Sequence, residues 1–165
     1  MRRRQVVVIG TGDPGFVKEA YELGRYVASR GWVLISGGRG GVMESASRGA
    51  SEAGGTVVGI LPGDDFSGAN PHCDIVIPTG IGYARNLANV LSGDAVVAFG
   101  GKSGTLSEIA FAWQFGRPLI TCAFAGGWGA RLGGEPIDDR PGEMHVAHDL
   151  QEVFLVLDQI MSRGL

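Results

Sequence analysis

Arg85 and Glu108 are the two residues whose types and setting could do chemistry. Glu108 closes the run Gly100-Gly101-Lys102-Ser103-Gly104-Thr105-Leu106-Ser107, and Arg85 ends the earlier run Gly80-Ile81-Gly82-Tyr83-Ala84. Between them, Asp94-Ala95-Val96-Val97-Ala98-Phe99 reads as a buried strand. A glycine-rich turn therefore leaves a strand end and opens a helix carrying Thr105 and Glu108, with Arg85 in the first turn of the preceding helix. Unpaired backbone N–H groups at a helix N-terminus bind anions, and glycine lets a phosphate approach the backbone closely. Gly101, Lys102, Ser103, Gly104 and Thr105 are the candidate phosphate ligands. Arg85 adds a cation and Glu108 a carboxylate on the same crevice, so acid–base chemistry is available beside the anion.

Two further glycine turns follow apolar runs. Gly10-Thr11-Gly12-Asp13-Pro14-Gly15 has the G-x-G-x-x-G form, which makes Gly10, Thr11 and Gly12 candidate ligand contacts. A dinucleotide site also needs an acidic residue at the end of the second strand to hold a ribose hydroxyl. Ser36-Gly37-Gly38-Arg39 stands there instead, and Pro14 removes one backbone donor. Arg39 would suit a 2′-phosphate, which leaves NADP open; the favoured reading is a tight turn lining another nucleotide's pocket. Gly37, Gly38, Arg39, Gly40 and Gly41 open the second helix and join the candidate ligand contacts. A cation at a helix N-terminus is opposed by the macrodipole by about 0.3–1 kcal/mol. Arg39 and Arg85 both sit so, and a ligand anion would remove the penalty. The alternative is that they extend into solvent or pair with carboxylates such as Glu44.

Other chemistry is disfavoured. For a P-loop, the first glycine before Gly101-Lys102-Ser103 would fall on Val96, inside the strand. Thr105-Leu106-Ser107-Glu108 has capping-box spacing, so Glu108 could serve only the helix's first amides. His72, His145 and His148 show no zinc pattern and are expected in loops or at a helix start. Trp32, Phe111 and Trp113 fall at core-compatible positions, whereas Tyr83, near the anion loop, could contact a base.

The chain's 165 residues fit a single domain over 1–165; 44% are hydrophobic and 19% charged, the balance of a compact soluble protein. A net charge of −3 argues against broad attraction to nucleic acid. Only Lys18 and Lys102 are lysines; the remaining basic side chains are arginines, which suit bidentate anion contacts. Cys73 and Cys122 lack metal-ligand spacing and are expected as reduced thiols, in keeping with a cytoplasmic protein. The basic start at Arg2-Arg3-Arg4 is followed by too short an apolar run for a signal peptide, and nothing approaches the ~18–20 apolar residues of a membrane helix. Glycine, at 29 residues, gathers at strand–helix junctions.

The elements that must position these residues alternate. Strands are predicted at 5–9, 32–35, 56–61, 74–77, 95–99 and 118–123. Helices are predicted at 15–30, with Phe16, Ala20, Leu23 and Val27 on one face, and at 41–53, 84–92, 105–115 and 149–161. Residues 62–72 read as a loop, and 126–143 as a Gly/Pro/charge-rich excursion of unassigned role. Continuous Val/Ile/Ala strands, each followed by a helix, indicate an α/β fold, a doubly wound parallel sheet of Rossmann-like form with helices on both faces. Ligands bind such sheets beyond the strands' carboxyl ends, where the winding reverses. The three glycine turns are expected to converge there.

These motifs resemble the Lonely-guy (LOG) family and its relatives, the molybdenum-cofactor carrier proteins. Ser36-Gly37-Gly38-Arg39-Gly40-Gly41-Val42-Met43 is similar to the family's glycine-rich segment ending in Gly-Leu-Met. Arg85 looks like its catalytic arginine, and 100–108 resembles its Pro-Gly-Gly-x-Gly-Thr-x-x-Glu signature. Gly100 replaces the proline, Lys102 the second glycine, and Asn86 the lysine usual after the arginine. In these respects the chain is similar to the carrier branch, with its Gly-Tyr-Ala-Arg-Asn run. The resemblance implies a Rossmann-like fold, a homo-oligomer (dimer or tetramer), and a small phosphate-bearing ligand, either a nucleotide or the molybdenum cofactor, with no other cofactor required. It leaves two activities open: ligand binding without catalysis, or hydrolysis of the N-glycosidic bond of nucleoside 5′-monophosphates by Arg85 and Glu108. Lysine decarboxylation, also linked with such sequences, does not suit the chain. Pyridoxal phosphate needs a Schiff-base lysine and a partner for its ring nitrogen, and Lys18 and Lys102 are poorly placed for that role.

Overall fold

The computed structural model describes residues 1–12 and 15–164; Asp13 and Pro14 of the first glycine turn lie outside the described residues. The chain runs β1 (Gln5–Gly10), α1 (Val17–Ser29), β2 (Val33–Ser36), α2 (Val42–Glu52), β3 (Thr56–Leu61), β4 (Ile75–Pro78), α3 (Arg85–Leu91), β5 (Ala95–Phe99), α4 (Ser103–Gln114), β6 (Leu119–Cys122), α5 (Gly127–Leu132), β7 (Met144–Ala147) and α6 (Leu150–Met161). A short 3₁₀ turn, Gly82–Ala84, leads into α3. Among the described residues the seven strands are all parallel, in the order β4-β3-β2-β1-β5-β6-β7. The chain winds outward from β1 to β4, then returns to lay β5 against the other side of β1. The crevice between the carboxyl ends of β1 and β5, where Gly10 pairs with Phe99, is the switch point.

The strands read as unbroken apolar runs because both faces are buried. Val6 and Val8 enter one core with Leu23 and Val27 of α1, Ala46 of α2 and Leu157 of α6. Val7 and Ile9 enter the other with Val90 of α3, Ile109 and Ala112 of α4, and the α5 side chains Trp128 and Leu132. α1 and α2 cross at a distance only glycine permits. A Cβ on Gly24 would lie 2.0 Å from the Ala46 carbonyl oxygen, and one on Gly49 2.0 Å from that of Tyr21.

The sequence-based expectation of six strands is corrected to seven. β7 is a four-residue edge strand, mostly half-buried, with too little pattern to be read in advance. His145 belongs to it, not to a loop. The 126–143 excursion contains α5, a six-residue helix with glycine at its first and third positions. Its intrinsic propensity is poor, and it is held by tertiary contacts. Phe16 is not on the face of α1 but caps it in the left-handed region, φ 60°, with its ring edge-on to Phe124 at 6.3 Å between centroids.

Candidate functional site

A cavity of about 440 Å³ opens at the switch point, lined by Gly10, Thr11 and Gly12, by Arg85, Asn86 and Asn89 of α3, and by residues 102–105 and Glu108. Gly10 allows the first turn to pass close to β5, since a Cβ there would lie 2.7 Å from the Phe99 carbonyl oxygen. Gly101 needs φ +100°, and any Cβ on it would meet Thr105 at 2.2 Å. That conformation swings the chain into α4, whose N-cap, Lys102, makes no side-chain cap bond. The first bond inside the helix runs from the Leu106 N–H to the Lys102 carbonyl, at 2.9 Å. The N–H groups of Ser103, Gly104 and Thr105 therefore precede any intrahelical acceptor and lie on the cavity wall. Lys102 is exposed at the mouth, and Tyr83, 90% exposed, stands on the rim.

The second glycine turn is placed differently. Gly37, Gly38, Arg39 and Gly40 are not among the residues lining this cavity. They build what lies behind it. The Arg85 guanidinium donates through Nη1 to the carbonyls of Gly37 (2.9 Å) and Ile60 (2.7 Å). A Cβ on Gly37 would fall 2.1 Å from that nitrogen, so the glycine makes room for the arginine's seat. Gly41 abuts Gly12, where an added Cβ would sit 2.5 Å from the Gly12 carbonyl carbon, and the Val42 N–H donates to the Thr11 carbonyl at 3.2 Å. Gly41 also lines a second cavity of about 270 Å³, with Gly12, Ser45, Arg48 and His72. The Asn70 N–H donates to the Gly38 carbonyl (2.7 Å) and its Nδ2 to the Arg39 carbonyl, fixing the 62–72 loop over the turn. The Arg39 side chain is exposed.

Glu108 is 8% exposed and does not serve as a capping-box partner, because the helix begins two residues before Thr105. Its Oε1 accepts from Asn89 Nδ2 at 2.9 Å. Burial pushes its carboxyl up to about 7, against the downward pull of the Asn89 hydrogen bond and the Arg85 charge. Arg85 in turn is lowered by burial, while Glu108 supports its charge and Arg39 opposes it. A carboxyl poised near neutrality can accept a proton or hold one. Above it on the same pair of helices, Asn86 Nδ2 donates to Ser107 Oγ at 3.0 Å, and Ser107 donates to the Gly104 carbonyl at 2.6 Å.

Asn89 and the α5 segment carry weight that the sequence reading missed. Asn86 and Asn89 fall one and four residues after Arg85, so helical spacing was their available signal. α5 had none. Its first turn donates into the third glycine turn, Trp128 N–H to the Gly101 carbonyl (3.3 Å) and Gly129 N–H to that of Gly100 (3.5 Å). Among the described residues, no group of three His, Cys, Asp or Glu side chains could hold a metal, and no helix is long and apolar enough to cross a membrane.

Comparison with known proteins accords with this architecture. The chain is 45% identical to an uncharacterized protein from Archaeoglobus fulgidus over 123 residues, 73% of this chain and 81% of that one. The molybdenum cofactor binding protein of the phototrophic bacterium Rippkaea orientalis is 36% identical, with a TM-score of 0.88 over 98% of this chain and 99% of its own. The molybdenum cofactor carrier protein of Chlamydomonas reinhardtii is 34% identical, with a TM-score of 0.86 over 98% and 100%. DNA processing protein A of Helicobacter pylori, at 21% identity and a TM-score of 0.72 over 94% and 80%, shares the fold alone. The model of the SLOG cluster4 family matches residues 3–153, and the chain belongs to that family.

Proposed function

We propose that this protein binds a small phosphate-bearing ligand, a nucleotide or the molybdenum cofactor as cargo, across the carboxyl ends of β1 and β5. The observation that carries the reading is the open first turn of α4: three backbone N–H groups without intrahelical acceptors on the wall of a cavity of about 440 Å³, with Lys102 beside them. An anion there meets both the helix dipole and a cation. The carrier and cofactor-binding relatives, similar over nearly their whole length, support the molybdenum cofactor as the cargo class. The phosphate lies on residues 103–105, and the rest of the ligand extends toward Arg85, Asn89 and Glu108. The protein works as a homo-oligomer; half-exposed Ile75 and Ile77 on the open edge strand β4 suit such an assembly, which light scattering measures.

A second reading is favoured by one observation, the buried Glu108 carboxyl held near neutrality beside Arg85. In a phosphoribohydrolase, the glycosidic bond breaks with its electron pair going to the base, while Arg85 and the Glu108 carboxylate offset the charge developing on base and sugar. Water adds to the ribose C1′ and gives a proton to Glu108, which passes that proton to the departing base and returns to its carboxylate form. Incubation with AMP, GMP and CMP separates the readings. Binding without release of free base is the expected result. Base release that Glu108→Gln abolishes would establish the hydrolase instead.

A further inference from the structure

We infer that Asn89 is a positioning residue for Glu108: its side-chain amide fixes one carboxylate oxygen so that the other is presented to the ligand. This rests on the reading of the switch-point cavity as the ligand site. Asn89 is 1% exposed on the face of α3 that packs against α4. Its Nδ2 donates to Glu108 Oε1 at 2.9 Å, yet its own Oδ1 is buried with no hydrogen-bond partner among the described residues. A buried acceptor left unpaired costs stability, on the order of 1–3 kcal/mol. A leucine or methionine would fill such a helix–helix position without that cost, so packing alone does not account for an asparagine here.

The hydrogen bond does account for it. Glu108 sits on the second turn of α4, 8% exposed, with its Oε1 held by the Asn89 amide. The charged group facing it from α3 is Arg85, whose Nη1 donates to two backbone carbonyls and whose buried Nε has no hydrogen-bond partner among the described residues, so that it acts on Glu108 through its charge. Lys102 lies at the exposed start of α4, and β1 presents Val8, Ile9 and backbone to the same cavity. Asn89 is the neutral donor observed to hold the carboxylate, and it favours the ionised form against burial. Without it, the carboxyl would keep its proton to higher pH and turn freely, losing its fixed acceptor toward the ligand.

The test is an NMR titration of the Glu108 side-chain carboxyl, assigned by its loss in Glu108→Gln, in the wild type, Asn89→Leu and Asn89→Ser. The Glu108 midpoint should rise by about one unit or more in Asn89→Leu, with Asn89→Ser, which keeps a donor, falling between. GMP affinity at pH 7 should drop about tenfold in Asn89→Leu, while affinity for inorganic phosphate, held by α4 alone, stays within about twofold. A Glu108 midpoint unchanged in Asn89→Leu, or in Asn89→Ser should the leucine variant not fold, would overturn the inference. So would a wild-type Glu108 that titrates as an ordinary exposed carboxyl. Failure of the wild type to bind either phosphate or GMP would overturn the ligand reading on which the inference rests.

Discussion

At the scale of single residues, Gly101 is the position with least latitude. Its φ of +100° is a conformation L side chains rarely adopt, and Thr105 occupies the space a Cβ would need. Gly101→Ala must therefore move the loop away from the start of α4. The expected outcome is loss of phosphate and GMP binding by at least tenfold in calorimetry, with the fold retained by circular dichroism. Arg85 and Glu108 were legible in the sequence because each lies in a short run whose composition already implies a turn and a helix start. The glycines at 37–41 were legible as a turn, but their task was not. Gly37 serves by leaving room for a guanidinium that arrives from 48 residues further along the chain. Asn89 was illegible for a related reason. An asparagine on a helix face has no local signature until the opposing helix shows what it meets.

At the scale of elements, the site depends on pieces that never touch the cavity. α5 contributes no lining residue, yet its first turn hydrogen-bonds to the Gly100 and Gly101 carbonyls. Gly127, at φ +63°, would place a Cβ 2.4 Å from the Gly100 carbonyl carbon. Gly127→Ala should thus weaken phosphate binding severalfold without altering any ligand contact, a result calorimetry reads directly. Gly49→Ala provides the contrast. It forces α1 and α2 apart on the face of the sheet away from α3 and α4, at a cost typical of overpacking, about 1–3 kcal/mol. Urea unfolding should register that loss, while affinity for phosphate stays unchanged.

For the molecule as a whole, Glu108 makes stability depend on pH. In the folded protein it holds its proton to about 7, whereas in the unfolded chain it ionises near 4.3, the reference value for glutamate, roughly. Between these values the native state binds more protons than the unfolded state, so stability falls as pH rises through the window and levels off above it. A glutamine side chain at this position cannot titrate and still accepts from Asn89. Glu108→Gln should match the wild type near pH 4 and exceed it by roughly 3–4 kcal/mol at pH 8, seen as a melting temperature several degrees higher. Glu143 and Asp94, held below the usual carboxylate range first by their bonds to Arg163 and Arg2, act in the opposite sense. Their stabilisation is lost as pH falls, equally in both proteins, so the difference isolates Glu108.

The sequence by itself determined the layered α/β fold, the alternation of strands and helices, and the glycine turn that opens α4. These follow from local pattern: apolar runs long enough to be buried on both faces, helical periodicity, and glycine where the chain must turn sharply. Tertiary structure decided the rest. The seventh strand exists because β6 offers an edge to pair with, and α5 because the Gly100 and Gly101 carbonyls accept its amides. The seat of Arg85 and the bond between Asn89 and Glu108 join residues on separate elements. No local rule encodes such meetings, because they arise only once the sheet has folded back on itself at β1 and β5 and brought α3 against α4.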